Sequence, residues 1–174
     1  MPLADVMTRW HEFYTLLGTA SATLVGLLFV AASVSSGVFS SDRRAPLRAF
    51  LSASVVHFSG ILAVCLMVLA PVRSGIGFSA MIVAGGGFGL VYCGLIWRDL
   101  VRDGLSARID LEDRVWYVGI PVIGYLLEAA AGVTLALRPD FGPMALAAAT
   151  GILMVVGIHN AWDITVWIIT RPRD

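Results

Sequence analysis

Four ionisable side chains, His57, Glu128, His159 and Asp163, fall inside stretches that otherwise consist of apolar residues. If those stretches cross a membrane, each group costs several kcal/mol in hydrocarbon unless it pairs, binds something or meets water, and such residues mark proton relays and ion pathways. A mid-membrane carboxyl must be protonated, paired or hydrated. Two imidazoles that take up and release protons near neutral pH would suit it as relay partners. The chemistry expected of this set is therefore proton or cation movement, with Glu128 at its centre, His57 and His159 beside it, and Asp163 and Asn160 in support. His159 and Asp163 are one helical turn apart, so the carboxylate can orient the imidazole.

The same four residues, His57, Glu128, His159 and Asp163, are also candidate ligands for a metal ion such as Zn, Fe or Mn. No His-Glu-x-x-His or paired-Cys spacing supports that reading. A haem ranks behind it: His57 and His159 would have to face each other across a porphyrin admitted by Gly85 to Gly89. No nucleophile motif is present, so no catalytic residue is assigned and an enzyme is disfavoured. The run Gly85-Gly86-Gly87-Phe88-Gly89 lacks the spacing of a nucleotide-binding loop and reads as a surface for helix packing.

The elements that must hold these groups are helices. Of 174 residues, 58% are hydrophobic and 14% charged, and the mean hydropathy is +0.85. A soluble domain would carry about a quarter charged residues. All 12 basic residues are Arg and the formal net charge is zero, which argues against an extended nucleic-acid surface. Five segments approach or exceed the ~20 residues needed to cross hydrocarbon: 14–38, 47–71, 75–97, 116–137 and 144–169. The breaks between them carry Pro, Gly and charge: Ser40 to Pro46, Pro71 to Gly75, Arg98 to Arg114, and Arg138 to Pro143. The expected fold is all-α: a polytopic membrane protein of five transmembrane helices in a single domain, 1–174, lying in the lipid bilayer.

With five spans, Arg9, Arg73 and Arg138 lie on one side and the other nine Arg on the opposite side. The positive-inside rule then puts the N-terminus outside and the C-terminus in the cytoplasm, as expected for a bacterial inner-membrane protein. A cleaved signal peptide fits poorly, because the opening residues have no basic region and the first apolar run is long. Cys65 and Cys93 fall near opposite leaflets, ~15–20 Å apart, too far for a disulfide.

Helices in lipid associate through small residues. Gly18, Ala22 and Gly26 form one such stripe on the first segment, next to Thr15, Thr19 and Thr23, and Gly85 and Gly89 form another on the third. Either stripe could also join copies of the chain, and a homo-oligomer is expected because five short-looped helices enclose little volume. Measured from segment midpoints, His57 lies roughly 3–4 Å, Glu128 about 2 Å and His159 ~4 Å from mid-membrane, with Asp163 roughly 10 Å away toward the interface. Glu128 shares a stripe with Pro121, Gly124 and Gly132, and His57 shares one with Ala53 and Gly60. The reading therefore expects His57, Glu128 and His159 to meet, forming the site of a channel or transporter subunit. The alternative is a structural or accessory subunit whose polar residues only lock helices together.

Overall fold

The computed structural model describes residues 3–35, 41–70, 75–102, 111–138 and 140–170, all of them helical apart from short turns. The Pro71 to Ser74 turn with Arg73, the centre of the Arg98 to Arg114 loop with Arg108, and Arg171 and Arg173 lie outside the described residues, as do the side chains of Arg43, Arg44 and Arg48. A short helix α1 (Leu3–Thr8) leads into α2 (His11–Ser35), followed by α3 (Ser41–Leu69) and α4 (Gly75–Arg102). Next come a single turn α5 (Leu111–Arg114), a π-turn (Val115–Gly119), α6 (Ile120–Leu137) and α7 (Gly142–Thr170).

Among the described residues, four helical stretches are long and apolar enough to cross a membrane: His11–Ser33, Gly75–Asp99, Leu111–Leu137 and Gly142–Asp163. In hydrocarbon a helix satisfies its own backbone hydrogen bonds, so apolar stretches of this length belong in helices. The chain is an all-α, multi-pass membrane protein. Helix α3 is 29 residues long, and its described apolar stretch is the shorter Ala53–Leu69.

Neighbouring helices are antiparallel. Helix α7 packs between α3 and α6, α4 packs on the far side of α6 and touches α3, and α2 lies outside against α3. Thus α3, α4, α6 and α7 surround one interior. The apolar cluster that fills it includes Phe58, Ile61, Ile82, Leu135 and Leu153. Only 11% of the apolar window of α2 is buried, against 50% for α7, so α2 is peripheral and α7 central.

Small residues set the closest approaches. A methyl on Gly18 would meet the Cys65 side chain at 3.0 Å, one on Gly124 would meet Leu153 at 2.7 Å, and one on Gly157 would meet the Phe58 ring at 2.6 Å. The other two members of the first-segment stripe, Ala22 and Gly26, are exposed, and nothing lies within 4 Å of where a Gly26 side chain would start. The adjoining Thr15, Thr19 and Thr23 hydroxyls each donate to the carbonyl four residues earlier in their own helix, at 2.8, 2.8 and 2.9 Å. Their polar groups are satisfied locally.

The turn between α6 and α7 is tight. Arg138 leaves the helix at φ −142°, ψ 76°, and the Phe141 and Gly142 amides donate back to its carbonyl at 3.1 and 3.2 Å. Gly142 lies against Leu135, where a methyl would come within 2.6 Å. Pro143 follows in the first turn of α7, where its missing N–H is no loss. Tyr14 at the start of α2, fully buried, donates to the Pro143 carbonyl at 3.1 Å and ties the two helix starts together.

Candidate functional site

Helix α3 turns Ala53, Ser54, His57, Phe58 and Ile61 inward, all of them buried. Helix α6 turns in Pro121, Gly124, Tyr125, Glu128, Ala131, Gly132 and Leu135. These two helices are not packed neighbours; they stand across the interior from each other. Their link is a side-chain hydrogen bond of 2.8 Å between His57 Nδ1 and the Tyr125 hydroxyl. The hydroxyl donates when the ring proton is on Nε2 and accepts when it is on Nδ1. The ring centroids are 5.6 Å apart. The other ring nitrogen, His57 Nε2, is buried and has no hydrogen-bond partner.

One turn from Tyr125 on α6, Glu128 is 4% exposed. Its carboxyl occupies the space left by the missing side chain of Gly85, where a methyl would meet Oε1 at 2.9 Å. Among the described residues no hydrogen bond or ion pair reaches that carboxyl. Neighbouring glycines hold α4 and α6 together. Gly86 lies against the Tyr125 carbonyl and the Ala129 amide, Gly89 against the Tyr125 ring, and Gly132 against Val83 and the Ser79 carbonyl. Gly89 thus leaves room for the ring whose hydroxyl reaches His57. Gly85 and Gly89, the stripe of the third segment, are thus taken up in packing against α6 inside the chain.

Two further hydroxyls belong to this interior. Ser54, one turn from His57, and Ser79 on α4 are buried and have no hydrogen-bond partner. From the end where α4 begins, the polar groups run in the order Ser79, Glu128, Tyr125, His57 and Ser54, each at most 4% exposed. A serine one turn from an intramembrane histidine, and a tyrosine one turn from a glutamate on a small-residue stripe, are the sequence signals that would have found Ser54 and Tyr125. Ser79 has no such signal.

His159 does not join this group, which corrects the expected three-residue meeting. Gly124 lies against Leu153, and Leu135 against Gly142. In that antiparallel register Glu128 is abreast of Ala149, and His159 is ten residues further along α7, about 15 Å away. Segment midpoints misjudged this because α7 overshoots α6 at the end where α6 begins, while the tight Gly142 turn fixes the register at the other. Among the described residues no hydrogen bond or ion pair joins His57, Glu128 and His159.

His159 instead stacks flat on Trp116, with centroids 3.8 Å apart and 6° between planes. Its Nδ1 lies 3.2 Å from Asp163 Oδ2, the side chains being 26% and 40% exposed. The contact is an ion-pair distance, but its N–H is not aligned for a hydrogen bond. Asn160, by contrast, is fully buried. Its Nδ2 donates to the Trp116 carbonyl at 3.5 Å, and the Tyr117 hydroxyl donates to the Asn160 carbonyl at 3.4 Å. The π-turn explains the need. The Ile120 amide, which an α-helix would give to Trp116, goes to the Val115 carbonyl. The next residue, Pro121, has no N–H. The Trp116 carbonyl is left without a helix donor, and Asn160 supplies one from the facing helix.

Among the described residues, no three His, Cys, Asp or Glu side chains come together as metal ligands. The candidates His57, Glu128, His159 and Asp163 are split between two places. The haem arrangement does not fit either: His57 is bonded to Tyr125 and His159 is stacked on Trp116, and Gly85, Gly86 and Gly89 are filled by Glu128, Ala129 and Tyr125. Cys65 and Cys93 are both free and buried.

No protein-family model matches the chain, and neither do any curated proteins or solved structures.

Proposed function

We propose that the protein is a small transport or channel-like subunit that relays protons through the interior shared by α3, α4, α6 and α7. The observation that carries this reading is the buried His57–Tyr125 bond across that interior, with Glu128 one turn away and His57 Nε2 open on the far side. A phenol can donate and accept at once, and an imidazole can take a proton at one nitrogen and release it from the other. In the proposed relay Glu128 gives a proton to the Tyr125 oxygen as Tyr125 passes its own to His57 Nδ1. His57 then releases its Nε2 proton toward Ser54. Water admitted to the interior bridges the gaps between groups. Protons are favoured over metal cations because the column offers one carboxylate and one imidazole, fewer ligands than a cation site gathers.

In this reading α3 is the fifth span, the N-terminus lies outside, and the nine-to-three division of Arg places the C-terminus in the cytoplasm of a cell with the protein in its inner membrane. A homo-oligomer would use the exposed Ala22 and Gly26 side of α2, the small-residue stripe left open within the chain.

The test is proteoliposomes holding a pH-sensing dye, given a pH step with valinomycin to clamp the potential. Dissipation of the gradient by the parent protein and its loss in Glu128→Gln support the relay; equal rates in parent, variant and empty vesicles sink it. The structural alternative is favoured by Asn160, whose Nδ2 supplies a donor to an orphaned carbonyl. It applies to the whole interior if Glu128→Gln and His57→Gln change oligomer yield or stability and leave proton flux unchanged.

A further inference from the structure

We infer that Ser54, His57 and Asn160 hold one buried water molecule between α3 and α7, and that this water keeps the proton of neutral His57 on Nε2. Each of the three side chains is at most 1% exposed. Each carries a buried polar atom with no hydrogen-bond partner: Ser54 Oγ, His57 Nε2 and Asn160 Oδ1. Such atoms are costly inside a membrane, and a buried water satisfies about two to four of them at once.

The three atoms share one level of the bundle. Gly157 of α7 lies against the Phe58 ring of α3, where a methyl would come within 2.6 Å. The two helices are antiparallel, so four residues back from Phe58 and three on from Gly157 lead the same way, by about 6 Å and about 4.5 Å. Ser54 and Asn160 therefore stand within about one turn of the same height. A helical side chain leans toward the N-terminus of its helix, which brings the His57 ring down toward Ser54. The directions agree as well. Ser54 is on the stripe of Phe58, which meets α7. Nδ1 of His57 is taken by the Tyr125 hydroxyl at 2.8 Å, so Nε2 faces away from Tyr125. Only the nitrogen of the Asn160 amide can serve the Trp116 carbonyl, so Oδ1 is directed away from that carbonyl. The water accepts from His57 Nε2–H and donates to Asn160 Oδ1 and Ser54 Oγ. Because Asn160 Oδ1 can only accept, the ring proton is drawn to Nε2 and Nδ1 is left to accept from Tyr125. Asn160 is thus a positioning residue for His57. Its value to proton movement rests on the relay proposed above, whereas the water site stands on the packing of α3 and α7 alone.

The experiment is solid-state NMR of the full chain in lipid bilayers with 15N-labelled His. The chain has three His, and the signals lost in His57→Gln identify those of His57. In the parent protein His57 should show a protonated Nε2 and an unprotonated Nδ1, with magnetisation passing from water protons to Nε2. That transfer should fall in Asn160→Leu and in Ser54→Ala, the second of which leaves the contact between Asn160 and Trp116 in place. Removing an orphaned hydroxyl stabilises a protein, while removing one that holds a water destabilises it, so Ser54→Ala should also melt below the parent. A proton on Nδ1, no water transfer in the parent, transfer unchanged in either variant, or Ser54→Ala melting above the parent would each overturn the inference. None of these readouts measures flux, so a relay that fails in vesicles is distinguished from a water site that is not there.

Discussion

The glycine run of α4 permits a test in which one methyl group is moved by a single residue. A Cβ on Gly86 would lie 2.7 Å from the Ala129 amide nitrogen and 2.8 Å from the Tyr125 carbonyl oxygen; on Gly87 nothing lies within 4 Å. Ordinary carbon contacts begin near 3.5 Å, so Gly86→Ala requires about 0.7 Å of extra separation. Both obstructing atoms are backbone, so no rotamer change relieves them and α6 must move as a body. Overpacking of this kind costs ~1–3 kcal/mol. Both substitutions gain the same ~1 kcal/mol of helix propensity, so that contribution cancels when one variant is compared with the other. At ~2–4 °C per kcal/mol for a chain of this size, Gly86→Ala should melt ~2–12 °C below Gly87→Ala. The buried free thiols of Cys65 and Cys93 provide the assay, since a thiol-reactive dye labels them only as the bundle opens. Coincident melting curves for the two variants would refute the claimed backbone contact between α4 and α6.

The interior column gives two further expectations. Tyr125→Phe leaves both nitrogens of a buried imidazole without partners, a loss of ~1–3 kcal/mol, and should lower the melting temperature in the same thiol assay. Glu128→Gln removes no hydrogen bond and should stay within ~2 °C of the parent, so that any flux defect in that variant is separable from unfolding. Asn160→Leu keeps the volume but leaves the Trp116 carbonyl without a donor at the π-turn, at a cost of ~1–3 kcal/mol. The variant should show faster amide exchange over residues 115–122 than over 126–137, and uniform exchange would contradict the bridging role.

Much of the site's raw material was legible without coordinates. Composition and apolar length forced helices in a membrane, because only a helix satisfies its own backbone there. The ionisable residues within those helices were equally plain, since His57, Glu128 and His159 interrupt runs of Leu, Val, Ala and Gly. The stripe of Pro121, Gly124, Glu128 and Gly132 also marked the face of α6 that turns inward.

What the sequence could not supply was register between helices and identity of neighbours. Local periodicity fixes which face a residue occupies, but the height of one helix against another depends on turn length, tilt and the fit of particular side chains into particular gaps. Gly142 against Leu135 and Gly124 against Leu153 set α7 so that His159 slides about 15 Å past Glu128, toward Trp116 and Asp163. Neighbour choice had the same character: α3 packs beside α7, far away in sequence, and across from α6, so His57 finds Tyr125. The chemistry of each residue was therefore written in the sequence. Which residues meet was decided by tertiary packing, because contacts between distant helices leave no periodic trace in either helix alone.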